Sequence, residues 1–383
     1  NGSGRTPFAR GGDGKAAMGP MLREYIISEA MHALGIPTTR TLAVVATGES
    51  VQRDRALPGA VMCRIAASHL RVGTFEFVAT RSSQDTLQTL IDYTLQRHYP
   101  HVQQAHTPAL TLLQAVVDAQ ASLVAHWMGV GFIHGVMNTD NMTLSGETID
   151  YGPCAFMEAH DPQAVFSSID HHGRYAYGNQ PHIAQWNLAR FAETLLPCID
   201  ADSDQAQQLA IEALQTFSTS YARRWLEEFR AKLGLNACEA DSSDLALIQN
   251  YLRLLQDHRI DHTLGFRYLS DVLREQPDRL MELFEGATEP LNDWLDRWQQ
   301  RLQMQHQPLT DIAQEMDRHN PWVIPRNHRV EAALSDATQA GNMQTFQRLL
   351  NAVTHPYDPP EDWADAQAAP LSYTQSYQTF CGT

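Results

Sequence analysis

Hydrophobic periodicity changes character once along this chain, and that change limits the folds open to it. Alternating, strand-like runs at 41–46, 60–66 and 74–78 lie within the first 80 residues. One helix, 15–34, precedes them, with Met18, Met21, Leu22, Tyr25, Ile26 and Met31 at helical spacing and Gly35 and Pro37 closing it. From Gln84 onward nearly every periodic segment is helical: 87–98, 109–128, 183–196, 204–233, 242–258, 262–275, 279–285, 292–305, 329–337 and 343–352. A Pro-containing linker, 320–327, precedes the last two. This order predicts an α+β protein with a small strand-bearing lobe (1–80), a large helical lobe (81–305) and a helical extension with a Cys-bearing tail (306–383). It is the layout of a protein-kinase-like bilobal fold, in which a nucleotide lies between the lobes.

At the join sits the segment 132–156, reading GFIHGVMNTDNM, TLSGET and IDYGPCAF. Asp140-Asn141 is followed nine residues later by Asp150-Tyr151-Gly152. Two readings fit: polar turns flanking a short hairpin, or a nucleotide–metal site. In the second, an amide oxygen and a carboxylate are hard donors suited to Mg²⁺, and a spare acid can take a proton.

Charge narrows the partners. The 44 Asp and Glu against 28 Lys and Arg leave a net charge of −16, which argues against nucleic acid as the main partner, since a phosphate backbone needs a basic surface. Five cysteines, at 63, 154, 198, 238 and 381, are widely spaced without C-x-x-C, arguing against a disulfide framework or zinc ribbon. No uninterrupted run of 18 apolar residues occurs, so no membrane span is expected. The first residues, NGSGRTPF, read as mid-domain, so the chain is expected to be an N-terminally truncated piece, and a bacterial cytoplasm is the expected location.

Residues 1–14 form a Gly-rich loop carrying Arg5, Arg10 and Asp13, either a loose terminus or a loop that approaches a phosphate. Arg64 and Arg71, on and just after the second strand, are either exposed strand charges or a guanidinium clamp for a polyphosphate. Glu24 borders the apolar stripe of the first helix and can point inward. Glu29 and His32 have the i, i+3 spacing of a metal pair, but a single copy carries little. His171 and His172 lack a nearby third ligand and read as loop polar groups.

In protein kinases H-R-D-x-x-x-x-N supplies the base and one metal ligand, and D-F-G the other. Here His134, Asn141 and Asp150-Tyr151-Gly152 take the matching places, but Val136 occupies the base position and cannot accept a proton. The sequence resembles the SelO (selenoprotein O, YdiU-like) family of kinase-fold (pseudokinase) protein adenylyltransferases. The matching stretches are GSGRTPFARGGDG (2–14), LREYIISEAMHALGIPTTR (22–40), CRIAASHLRVGTFEF (63–77), HGVMNTDNM (134–142), IDYGP (149–153), DHHGRYAYGNQP (170–181) and NPWVIPRNHRVEAAL (320–334).

The resemblance implies transfer of AMP from ATP to Ser, Thr or Tyr hydroxyls of protein substrates, with pyrophosphate released and no membrane or nucleic-acid partner. It implies Asp140 as proton acceptor, Asn141 and Asp150 as Mg²⁺ ligands, and Asp13, Gly14, Arg64 and Arg71 as nucleotide contacts. Glu24 corresponds to the helix Glu that pairs with a nucleotide-binding Lys. That Lys would fall at position 1, where Asn1 stands, and the family's upstream Gly-rich loop is absent, so this piece alone is expected to be inactive. The resemblance further implies a redox pairing of Cys154 with Cys381. An ordinary kinase and a non-catalytic nucleotide-binding pseudokinase are the alternatives.

Overall fold

Two long strands begin the fold, β2 (Arg40–Gln52) and β3 (Ala56–Ile65), rich in Val, Ala and Thr and joined by a tight polar turn. They pair antiparallel with Val45 opposite Val61, and the ladder is irregular between Ala46 and Ser50. A two-residue strand, β1 (Ala16–Ala17), adds to the far side of β3, giving the order β1-β3-β2. The computed structural model describes residues 1–7, 11–102, 107–236, 241–369, 373 and 376–380. Arg10, Cys238 and Cys381 lie outside them.

Helix α1 (Met18–Ala33) follows β1 directly. Met21 packs with Ala16, Ala60 and Met62 on the sheet, while Leu22, Ile26 and Ala30 belong to the main core. That core also takes in the C-terminal helices α13 (Asn327–Gln339) and α14 (Gln344–Thr354), which pack on α1. Glu29 is held by Arg40, whose Nε lies 2.7 Å away, and His32 is exposed. The i, i+3 pair therefore makes an ordinary ion pair.

The strand expected at 74–78 is instead α2 (Val72–Arg81). Its alternating aromatic and β-branched residues favour a strand locally, but packing overrides the propensity. Val72 and Phe75, three apart, are fully buried, Phe75 stands edge-on to Phe191 at 5.1 Å, and the Thr74 hydroxyl accepts the Arg71 N–H at the helix start.

Next come α3 (Gln84–His98) and α4 (Pro108–Val130). By length and composition α4 is apolar enough to cross a membrane, although it contains no unbroken run of 18 apolar residues. In this fold it is a core helix, packed against α5 (Gln180–Ile199) and α6 (Ser203–Lys232), with Gln120 donating to the Thr143 carbonyl.

A second core gathers α7 (Asp241–Asp257), α8 (His262–Arg267), α9 (Leu269–Val272), α10 (Asp278–Leu283), α11 (Thr288–Gln303) and α12 (Leu309–His319). Tyr251, Trp294 and Trp298 stack in its centre. The single helix expected at 262–275 is two, broken at Tyr268. Helix α12 was missed, because its buried stripe is only Ile312, Ala313 and Met316.

A candidate nucleotide site

Backbone pairing brings the site together. The segment after α4 forms a short strand, β4 (Phe132–Ile133), which pairs antiparallel with β5 (Ala155–Phe156), so residues 134–154 are the loop between them. Both flanks of that loop are stitched to the strand-bearing region. Thr39 N–H donates to the Thr148 carbonyl and Thr148 N–H to the Pro37 carbonyl, at 3.0 and 2.9 Å. Val72 N–H donates to Met142 and Leu144 N–H to Leu70, both at 3.0 Å. Helix α5 holds the loop from beneath: Gln180 accepts from His134 N–H and donates to Phe132, and Asn187 donates to the Met137 carbonyl.

These stitches put Arg71 beside Asp140. The Arg71 guanidinium donates to the Asp140 carbonyl at 3.0 Å. Asp140 and Asn141 lie in one 3-10 turn (Thr139–Asn141), fixed by Asn138, whose side chain accepts the Asp140 N–H. The Asp140 carboxylate lies against the first turn of α2, where a β-carbon on Gly73 would collide with Oδ1 and force that carboxylate to move. Asn141 Nδ2 donates to the Val136 carbonyl at 2.9 Å, which turns its amide oxygen the other way. Val136 is buried and contributes only that carbonyl.

Across the site, Asp150 has φ of 70°, a left-handed conformation that asparagine and aspartate tolerate better than other side chains. Its neighbours hold it there. The Ile149 carbonyl accepts from His134 Nε2, Tyr151 N–H donates to Glu24 Oε1 at 3.0 Å, and the Tyr151 hydroxyl meets Thr38. Burial drives the His134 imidazole below its usual range, so it is a neutral ring that donates to Ile149. Glu24 is buried on α1, and the same oxygen accepts from Arg64 at 2.9 Å. Burial pushes the Glu24 carboxyl up and the charge of Asp150 adds to it, while Arg64 opposes both.

The predicted residues thus fall into two linked groups. Glu24, Arg64 and the Asp150-Tyr151 backbone form one; Arg71, Asp140 and Asn141 form the other. Asn1 lies beside the first group, its carbonyl accepting the Met62 N–H of β3 at 3.0 Å. Asp13 is not tied to either: it is bound by Arg53 at 3.0 and 3.2 Å and by Lys15 N–H. Gly14, at φ 66°, receives the Gly4 N–H on its carbonyl, and a β-carbon there would strike Gly4.

Arg64 Nε and Arg71 Nε are both buried without a partner. A buried orphan donor is costly, so two guanidiniums left with donors unused fit an anionic ligand. For a cation, the Asn141 amide oxygen and the Asp150 carboxylate are hard donors of the right kind. Among the described residues no group of three or more His, Cys, Asp or Glu is set to hold a metal. Mg²⁺ does not ask for one, because it is commonly held by one or two protein oxygens, substrate phosphates and water.

His69 is exposed on the loop between Arg64 and Arg71, and partial burial, then those two cations, pull its imidazole down. Cys154 is fully buried, with its thiol toward the Tyr151 carbonyl, and burial pushes it up to about 12, so it is a protonated and poor nucleophile near neutral pH.

The family model for protein adenylyltransferase SelO matches residues 1–354. The chain is 56% identical over 389 residues to a protein nucleotidyltransferase YdiU of Chromobacterium violaceum, all of this chain aligning with 80% of that protein. It is 53% identical over 382 residues to the protein of the same name from Brevibacillus brevis, covering 76% of it. With the one from Rhizobium meliloti it shares 51% identity over 384 residues, 78% of that protein.

Proposed function

The chain belongs to the SelO family of protein adenylyltransferases, and from this premise we propose that it transfers AMP from ATP to Ser, Thr or Tyr hydroxyls of protein substrates, releasing pyrophosphate. We propose with it a kinase-like arrangement, residues 1–80 against 81–305 with 306–383 as an extension, and the nucleotide between them. The observation that supports this reading best is that Arg71 donates to the Asp140 backbone carbonyl in the 3-10 turn that also carries Asn141, while Val136 fills the place of a kinase base with a buried aliphatic chain.

In this mechanism Asp140 takes the proton from the acceptor hydroxyl. The hydroxyl oxygen bonds to the α-phosphorus as the bond from that phosphorus to the β-phosphate bridging oxygen breaks, and pyrophosphate leaves with the electron pair. Arg64 and Arg71 meet the charge on the departing group. Mg²⁺ held by Asn141 and Asp150 would add charge neutralisation on the phosphates. Asp13 and Gly14 would shape the loop over the nucleotide, and Glu24 fixes Arg64.

A second reading, a nucleotide binder that transfers nothing, is favoured by Asn1, whose side chain carries no charge where the family's Lys would meet Glu24. The full-length protein, given ATP labelled at the α- or the γ-phosphate, separates the cases. Label from α on protein is expected; label from γ means a kinase, and ATP binding with no label from either means the binder.

A further inference from the structure

The connection between Arg64 and Arg71 takes its shape from its neighbours. Residues 66–70 run from the end of β3 toward α2 without regular structure. Among the described residues they make one hydrogen bond with each other, Leu70 N–H to the Ser68 hydroxyl at 3.2 Å. Their other bonds come from the last turn of α3 and from the loop between β4 and β5. The Ala67 N–H donates to both carboxylate oxygens of Glu147, at 3.0 and 3.3 Å. The Ala67 carbonyl accepts from Arg97 Nε at 2.6 Å and also from its Nη2. Beside them the Ser68 hydroxyl meets His98 Nε2 at 2.8 Å, and the Leu70 carbonyl accepts the Leu144 N–H.

Both polar groups of one residue's backbone are thus held by charged side chains, and such bonds are shorter and stronger than neutral ones. Ala67 is exposed and has little to bury, so these bonds rather than packing set its position. Glu147 is itself fixed. Its Oε2 also accepts the Ser145 hydroxyl at 2.8 Å, and its backbone carbonyl accepts the Thr143 hydroxyl at 2.6 Å. Both carboxylate oxygens are engaged, which suits a support rather than a base. The position matters as much as the chemistry. Glu147 lies between Asn141 and Asp150 on the loop that carries the proposed acid and metal ligands, while the residue it holds lies between the two arginines. One carboxylate therefore helps to register the two halves of the site against each other.

We propose that Glu147 and Arg97 are positioning residues. By gripping Ala67 at its N–H and its carbonyl they fix the relative placement of the Arg64 and Arg71 guanidiniums, and with it the affinity for the triphosphate. The proposal rests on the nucleotide reading above and gives a role to two residues outside it. Calorimetry with Mg²⁺-ATP on the full-length protein tests it. Glu147→Ala and Arg97→Ala should each raise Kd about tenfold, the loss of one charge-assisted hydrogen bond. Glu147→Gln keeps an acceptor and Arg97→Lys a donor, so both should stay within about threefold of the parent. Thermal melts confirm folding, and Arg97, exposed at the end of α3, can be replaced without opening the core. In an Arg71→Gln background Glu147→Ala should add about threefold or less, because a support acts through what it holds. An unchanged Kd in both folded alanine variants, or the full tenfold loss on top of Arg71→Gln, overturns the proposal. In transfer of α-label, Glu147→Ala should raise KM for ATP and leave kcat unchanged; a fall in kcat with KM held overturns positioning of the nucleotide. A parent protein that binds Mg²⁺-ATP but transfers nothing defeats the AMP-transfer reading alone, and calorimetry then still decides the roles of Glu147 and Arg97. A parent that binds no Mg²⁺-ATP defeats both.

Discussion

Asp150 combines a function with a backbone cost, and the two can be separated by substitution. At φ 70° a β-carbon costs roughly 1–2 kcal/mol relative to glycine, from which glycine's larger loss of chain entropy, about 0.4–1 kcal/mol, must be taken. Removing the carboxylate also relieves its repulsion of buried Glu24. Asp150→Gly should therefore be at least as stable as the parent, and more stable than Asp150→Ala by about 1 kcal/mol. This reverses the usual order, in which alanine wins by roughly 0.5–1 kcal/mol. In a chain of this length 1 kcal/mol corresponds to about 1–2 °C in Tm, so the two variants are separable by calorimetry. Both lose the proposed metal ligand. A nucleotide–Mg²⁺ complex at a hundred times its Kd adds about 2.7 kcal/mol to the parent, and that stabilisation should vanish in both variants. Asp150→Ala proving the more stable of the two would refute the strain argument. Full retention of the Mg²⁺-ATP shift in either would refute the metal assignment.

Asp140→Asn keeps the shape beside Gly73 but cannot take a proton; transfer of α-label should fall about 10²–10⁴-fold while the Mg²⁺-ATP thermal shift is kept. Cys154, buried and held up to about 12, should resist alkylation at neutral pH in the native protein and react on unfolding; after oxidation, non-reducing peptide mapping reports whether it joins Cys381. His160 is buried and hydrogen-bonded to His262 at 3.1 Å, and burial lowers it to about 4. The unfolded imidazole binds its proton near 6.5, so stability present above 6.5 is lost as pH falls toward 4. Between pH 7 and 5 this group alone should cost about 2 kcal/mol in urea melts, a slope that His160→Asn should flatten.

The residues read as a candidate site sit in short, chemically distinctive runs. From spacing, Asp140-Asn141 and Asp150-Tyr151-Gly152 were open to two readings, polar turns or a nucleotide–metal site, and the loop between β4 and β5 carries both runs. Helices such as α3, α4 and α6 were legible from their buried stripes. Readings failed where local and long-range preferences conflict. Thr74 to Val78 alternates like a strand, yet Val72 and Phe75 find their partners only in a helix lying against α5. The partner of Asp13 was also not legible: Arg53, forty residues on, binds its carboxylate, and no local pattern encodes a partner at that separation.

The arrangement at Gly73 shows most plainly why a motif was insufficient. In sequence it is one glycine among 22, in a stretch that reads as strand. Its meaning depends on α2 being a helix, on Arg71 starting it, and on backbone pairing of 70–72 with 142–144 to deliver the Asp140 turn. Each condition comes from a different part of the chain. The acid read as the proton acceptor therefore owes its place to the β3–α2 connection as much as to its own loop. A β-carbon at position 73 would disturb that acid without altering any residue of the motif.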